Sequence, residues 1–178
     1  MLYVGEWTMQ ETEKYEIQIA RQQDLDEIVS IYNSSIPGRL ATADTEPVTV
    51  ASRQTWFDEH DPARRPLWVL WQGDRIAGWA SLQTFYGRPA YNGTVELSVY
   101  VHPDFQGKGI GSKLVSYAIE QAPALHIHTL LGFVFAHNDP SRTLLSKFGF
   151  EEWGHLPRVA VLDGVERHLA ILGKRIGE

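Results

Sequence analysis

The chain contains no cysteine, and that one absence removes disulfide frameworks, thiolate metal sites, iron–sulfur clusters and cysteine nucleophiles together. It has no apolar run near the roughly 18 residues that a membrane-spanning helix needs. Basic charge is scarce: 16 Lys and Arg stand against 22 Asp and Glu, a formal charge of −6 at pH 7. No overall positive field recruits nucleic acid or anionic lipid, so neither is expected as a partner. Met1 to Trp7 have no basic flank and no long apolar core, so a secretion signal is not expected there. There is no Gly-x-Ser-x-Gly elbow, which argues against a serine hydrolase. His126, His128 and His137 lie near one another in sequence, but no cysteine or carboxylate cluster accompanies them and no metal site is expected. What remains is an ordinary globular composition, 43% hydrophobic and 21% charged over 178 residues, enough chain for one domain in the cytoplasm.

Residues 1–14 are polar and aperiodic and read as an N-terminal tail, with Trp7 a candidate for docking; residues 15–178 read as a single domain. Alternation predicts a strand over Tyr15–Ala20. Leu25, Ile28, Val29 and Tyr32 then recur at helical spacing behind Asp24, a candidate N-cap. Asn33 to Pro47 reads as a long loop, of the length that usually carries function. A second helix is predicted over about 49–60. Strands follow at Leu67–Trp71 and Arg75–Phe85, joined tightly at Gly73-Asp74, and a clean alternation predicts another over Thr94–Val101. A helix opens at the glycines 107–111 and stops at Pro123, and a strand is predicted over Thr129–Ala136. Asp139 is read as the cap of a short helix with Pro140 at its first position and Gly149 past its end. Leu156–Leu162 and Val165–Leu172 form a hairpin around Asp163-Gly164, a type I′ signal. The order βααβββαβαββ defines one mixed α/β domain.

The informative segment is His102-Pro103-Asp104-Phe105-Gln106-Gly107-Lys108-Gly109-Ile110-Gly111-Ser112. Three alternate glycines between a strand and a helix leave main-chain N–H groups unshielded at the partially positive helix start, a place that suits phosphate oxygens. A P-loop would need glycine at position 102 and Ser or Thr at 109, and the chain has His102 and Gly109. A dinucleotide fingerprint would need glycine where Ser112 stands. A glycine-rich turn with no ligand is the competing reading, at the cost in backbone entropy of three glycines.

Gln106-Gly107-Lys108-Gly109-Ile110-Gly111 resembles the pyrophosphate signature of the GCN5-related N-acetyltransferases. The run Gly93 to Val101, Asn138-Asp139-Pro140-Ser141, Ala41-Thr42 with Thr45 to Thr49, and Arg88-Pro89-Ala90-Tyr91 are similar to that superfamily's phosphinothricin and methionine sulfoximine branch. The likeness runs over about residues 15–175. It implies a mixed sheet whose central strands splay to admit acetyl-CoA, and homodimers in which the terminal hairpin could pair between subunits. Val99, Tyr100 and Val101 would offer main-chain groups to the pantetheine arm, like an added strand. Gly107, Lys108, Gly109, Ile110, Gly111 and Ser112 would hold the pyrophosphate, and Asn138 matches a cofactor-contacting Asn whose plainer role is a turn or cap.

Acetyl transfer requires a neutral amine, and an alkyl amine with a pKa near ~10 is only about one part in a thousand neutral at pH 7. A general base is therefore expected, worth roughly 10²–10⁴-fold. Glu96 is the candidate, a carboxylate in an otherwise apolar strand, at a place where the resembling branch carries glutamate. The competing reading is that Glu96, Ser98 and Tyr100 face solvent. Arg88 suits an acidic substrate group through its planar fork, Tyr91 could wall the pocket, and Thr42 and Tyr86 are further substrate candidates. The chain departs from the resembling pattern at Leu145, where relatives carry a Tyr or His that protonates the departing thiolate; His137, Ser141 or water are the substitutes. The expected activity is transfer of acetyl from acetyl-CoA, without a metal, to a small amino-acid-like amine. A peptide N-terminus or polyamine as acceptor, and a CoA-binding module without catalysis, are the competing readings.

Overall fold

A computed structural model describes residues 14–177, and the readings of a tail and of Trp7 as a docking residue fall, Lys14 apart, outside them. Its elements follow the predicted order: β1 (Tyr15–Ile19), α1 (Leu25–Ser35), α2 (Val50–Asp58), β2 (Leu67–Gln72), β3 (Arg75–Thr84), β4 (Thr94–Val101), α3 (Ile110–Gln121), β5 (Thr129–Phe135), α4 (Asp139–Lys147), β6 (Glu151–Leu162) and β7 (Val165–Arg175). Among the described residues no helix is long and apolar enough to cross a membrane.

Local chemistry explains most boundaries. Thr49 accepts from the Ser52 amide, while the Ser52 side chain returns to the Thr49 amide, which closes a reciprocal cap on α2. The Gly73-Asp74 link joins Gln72 directly to Arg75, with Gly73 at φ +63°. Asp163 and Gly164 both have positive φ, 51° and 79°, the type I′ pattern expected of them. Three expectations shift. Asn138, not Asp139, caps α4, its side-chain oxygen accepting from the Ser141 amide. Asp24 stands at the start of α1 but accepts instead from the Arg21 amide at 2.7 Å, capping a 3₁₀ turn that runs into the helix. The last hairpin is longer than predicted: β6 starts at Glu151, paired with Gly173, and β7 reaches Arg175.

The seven strands form one sheet in the order β1-β2-β3-β4-β5-β7-β6. Every neighbouring pair is antiparallel except β4 and β5. One face of the sheet carries α3 and α4 over a core that includes Leu70, Leu82, Val95, Leu114, Val115 and Leu130. The other carries Ile28, Ile31 and Tyr32 of α1 over Val69, Ile76 and Trp79, with Trp56 and Phe57 of α2 at its margin. Both faces of the central strands are therefore covered, and Glu96, Ser98 and Tyr100 are partly buried rather than fully exposed.

Gly78 sets how closely α3 approaches β3: a Cβ there would lie 2.8 Å from the Tyr100 carbonyl, 3.0 Å from Ile110 and 3.2 Å from Leu114. Gly78→Val is expected to destabilise the fold by about 1–3 kcal/mol through overpacking. A denaturant midpoint equal to that of the wild type would show that α3 is not seated as tightly as described.

Candidate active site

The parallel pairing of β4 with β5 lasts for three residues, Thr94 with Thr129, Val95 with Leu130 and Glu96 with Leu131. Beyond that point β4 continues to pair with β3 as far as Val101, and β5 with β7 as far as Phe135. The two strands separate, and among the described residues the edge of β4 that faces β5 over Leu97–Val101 is left without a strand partner. The opening holds a cavity of about 550 Å³, within the range of small-molecule sites, lined by β4 from Glu96 to Tyr100, β5 from Gly132 to Phe135, the α4 cap Asn138, and Ser141, Leu144 and Leu145 of α4. Residues 40–43, Val115 of α3, and Val159, Ala160 and Leu169 of the last hairpin complete its wall.

The glycine segment lies between the end of β4 and the start of α3. Gly107 and Gly109 have φ of +75° and +78°, and nothing lies within 4 Å of where a Cβ would project from either. Gly109 is the N-cap of α3 in the left-handed region, which an L side chain enters only with strain. The first-turn amides of a helix have no acceptor within it, so those following Gly109 meet an open, exposed bend. Gly111 serves packing: a Cβ there would lie 3.0 Å from Leu144. Asp104 beside the bend is held below its ordinary pKa, first by its hydrogen bond from Arg75, at 2.8 Å.

Glu96 occupies the last paired position before the strands part. It is half-buried and lines the cavity, and burial pushes its carboxyl pKa up. On the same face of β4, Tyr100 stacks on Trp79 with ring centroids 4.7 Å apart and approaches Tyr32 at 5.1 Å. Leu145 is buried in α4, and Gly132 is open for it: a Cβ on Gly132 would lie 2.9 Å from its side chain. Asn138 is engaged at both ends, capping α4 through its oxygen and donating to the Leu40 carbonyl at 3.1 Å. His137 donates through Nε2 to the Arg39 carbonyl at 3.0 Å. Ser141 lines the cavity one helical turn before Leu145.

Of the predicted acceptor residues, only Thr42 lines this cavity. Arg88, Tyr86 and Tyr91 lie on the exposed link between β3 and β4, where Pro89–Tyr91 form a 3₁₀ turn. Tyr91 and Tyr86 pack on each other and on Phe85, and Phe85 stacks on Phe133 of the cavity wall at 6.3 Å, so this aromatic group adjoins the cavity at its β5 side. The sequence reading did not single out the side chains of Tyr32 and Asp44. The Tyr32 hydroxyl donates to the Asp44 carboxylate and accepts from Thr42. The signal was a phenol in an otherwise aliphatic helix stripe, since a buried tyrosine hydroxyl needs a partner. Among the described residues no group of three His, Asp or Glu side chains is arranged to hold a metal ion.

Comparison with known proteins agrees with this architecture. Residues 25–150 match the model of the Acetyltransferase (GNAT) family. The chain is 47% identical to the "Putative phosphinothricin acetyltransferase YwnH" of Bacillus subtilis, over 90% of this chain and 98% of that protein. It is 36% identical to an L-methionine sulfoximine/L-methionine sulfone acetyltransferase of Pseudomonas paraeruginosa, over 76% and 80%. Its fold superposes with a TM-score of 0.86 on a GNAT superfamily phosphinothricin acetyltransferase from Sinorhizobium meliloti solved in complex with acetyl-CoA, 27% identical, over 92% and 89% of the two chains. The chain belongs to the GNAT family of acetyltransferases, in the branch of the phosphinothricin and methionine sulfoximine enzymes.

A carboxyl whose folded pKa is raised contributes stability below its unfolded pKa and loses it as pH rises through the folded value. Glu96→Gln is therefore expected to be more stable than the wild type at pH 7, with the difference vanishing below about pH 4, near the ordinary Glu pKa. A constant difference across a series of thermal melts from pH 4 to 8 would remove the burial of charge at Glu96.

Proposed function

We propose that this chain transfers the acetyl group of acetyl-CoA to the primary amine of a small amino-acid-like acceptor of the phosphinothricin, methionine sulfoximine or methionine sulfone type. One observation carries the reading: a half-buried carboxylate with a raised pKa stands where β4 and β5 part, at the head of a cavity of about 550 Å³. The chain's residues fit acetyl-CoA. Gly107, Lys108, Gly109, Ile110, Gly111 and Ser112 would hold its pyrophosphate on an open bend. Val99, Tyr100 and Val101 would hold its pantetheine arm along the free edge of β4. Asn138, with its amide already engaged, would border the cofactor rather than grip it. When bound, acetyl-CoA supplies an acyl carbon activated for attack by nitrogen.

Glu96 takes the proton that the acceptor ammonium must lose. Burial raises its pKa, which makes it a better proton acceptor. Leu145 donates no proton, and a thiol with a pKa near ~8.5 leaves tolerably without one. Arg88, Tyr91 and Tyr86 at the rim would receive the acceptor's acidic group, with Thr42 on the opposite wall. An arginine rim favours an acidic acceptor over a polyamine.

The same proposal includes a homodimer in the cytoplasm. β6 is an edge strand of the sheet, at the end opposite β1, and it exposes Trp153, Leu156, Val159 and Val161, the last at 61%. Unpaired edges of this kind invite a second strand. Val161→Lys is expected to convert a dimer into a monomer in light scattering behind size exclusion; an unchanged mass would remove this surface from the assembly.

Thiol release from acetyl-CoA with phosphinothricin, methionine sulfoximine, methionine sulfone, common amino acids, spermidine and a short peptide tests the reading. Turnover is expected with the first three and not with spermidine. Glu96→Gln should lower kcat/KM by about 10²-fold at pH 7, and by less as the pH nears the amine's own pKa. Arg88→Ala should raise KM for acidic acceptors selectively. Tight acetyl-CoA binding without turnover on any amine would overturn the proposal in favour of a non-catalytic module.

A further inference from the structure

The segment between α1 and α2 crosses the mouth of the cleft, and side chains from both sides of the cleft hold it. On the β5 side, His137 donates to the Arg39 carbonyl at 3.0 Å and Asn138 to the Leu40 carbonyl at 3.1 Å. On the β4 side, the Tyr100 hydroxyl donates to the Ala41 carbonyl at 3.1 Å. From α1, the Tyr32 hydroxyl joins Thr42 and Asp44, and the Thr42 hydroxyl also accepts from the Asp44 amide at 3.2 Å. Three successive carbonyls and the two side chains that follow are thus pinned, and the pins bridge two strands that no longer pair with each other.

Tyr32 is the pin that belongs to neither wall. It is buried, and its ring lies between Tyr100 and the Arg53 guanidinium, whose carbon is 5.1 Å from the ring centroid. Burial first, and then the Asp44 carboxylate, hold the phenol pKa above its ordinary value, so the hydroxyl stays a donor through the neutral range. Residues 40–43 wall the cavity on the face of β4 that bears Glu96, Ser98 and Tyr100, whereas the glycine bend opens α3 on the opposite face. The strap therefore borders the side from which an acceptor meets Glu96.

We propose that Tyr32 is a positioning residue for acceptor binding, holding residues 39–44 as a fixed wall opposite Glu96 through Thr42 and Asp44. The inference rests on the acetyltransferase reading of the same site. Tyr32→Phe keeps the ring and removes only the hydroxyl; Asp44→Ala removes the other end of the pin at a half-buried position.

Both variants are to be compared with the wild type by amide hydrogen exchange over residues 39–46, by acetyl-CoA calorimetry and by steady-state kinetics on the preferred acceptor. Faster exchange in the strap is expected, with KM for the acceptor raised roughly tenfold, the loss appropriate to one buried hydrogen bond. Acetyl-CoA affinity and kcat should stay within about twofold of the wild type. Wild-type exchange in both variants, or faster exchange with an unchanged acceptor KM, overturns the inference and leaves the acetyltransferase reading intact. Inactivity of the wild-type chain on every acceptor overturns both.

Discussion

Three rungs of parallel pairing hold β4 to β5, and the rest of the site follows from where they end. While the strands pair, their main-chain groups are consumed and nothing can enter. Once they part at Glu96 and Leu131, one edge of β4 is free to pair with something other than protein. An unpaired buried main-chain group costs free energy, so a gap in the middle of a sheet is a standing demand for a ligand with complementary amides. The pantetheine arm has such amides. The gap persists because each strand keeps its outer neighbour, β3 on one side and β7 on the other.

The electrostatics of the site run against the charge of the whole chain. A net charge of −6 disfavours polyanions at long range, but screening confines that effect to roughly 8 Å at physiological salt. At contact distance the first-turn amides of α3 and the engagement of Asp104 by Arg75 matter more. Burial acts on Glu96 in the opposite sense to the way Arg75 acts on Asp104. The pKa of Asp104, beside the glycine bend, is lowered, and that of Glu96, in the cleft wall, is raised.

The element order was legible because periodicity switches cleanly between 2 and 3.6 along the chain, and because Gly73-Asp74 and Asp163-Gly164 mark hairpins by conformation. The glycine bend and Glu96 were legible by residue type and by resemblance. Long-range partners were not. Asn138 and Asp139 are equally good caps by composition; the choice falls to Asn138 because only an amide can cap α4 and also donate to Leu40. The early start of β6 carries no alternation at Glu151-Glu152-Trp153, and comes instead from pairing with Gly173, over which the Trp153 ring lies. The strap was invisible because three of its pins end on main-chain carbonyls, which no side-chain type records. Arg88 shows the converse: its chemistry drew attention, and the fold sets it at the rim, outside the main cavity.

The position of β7 has a consequence for how the molecule comes into being. The half of β5 that walls the cleft, from Gly132 to Phe135, has one strand neighbour, and that neighbour is β7, the last strand in the chain. During vectorial synthesis β2 to β4 can assemble as a meander from local contacts, but β5 must wait for β7 to emerge before its outer half is secured. The nascent chain therefore carries Glu96 and the glycine bend before the outer half of β5, the other side of the cleft, is secured.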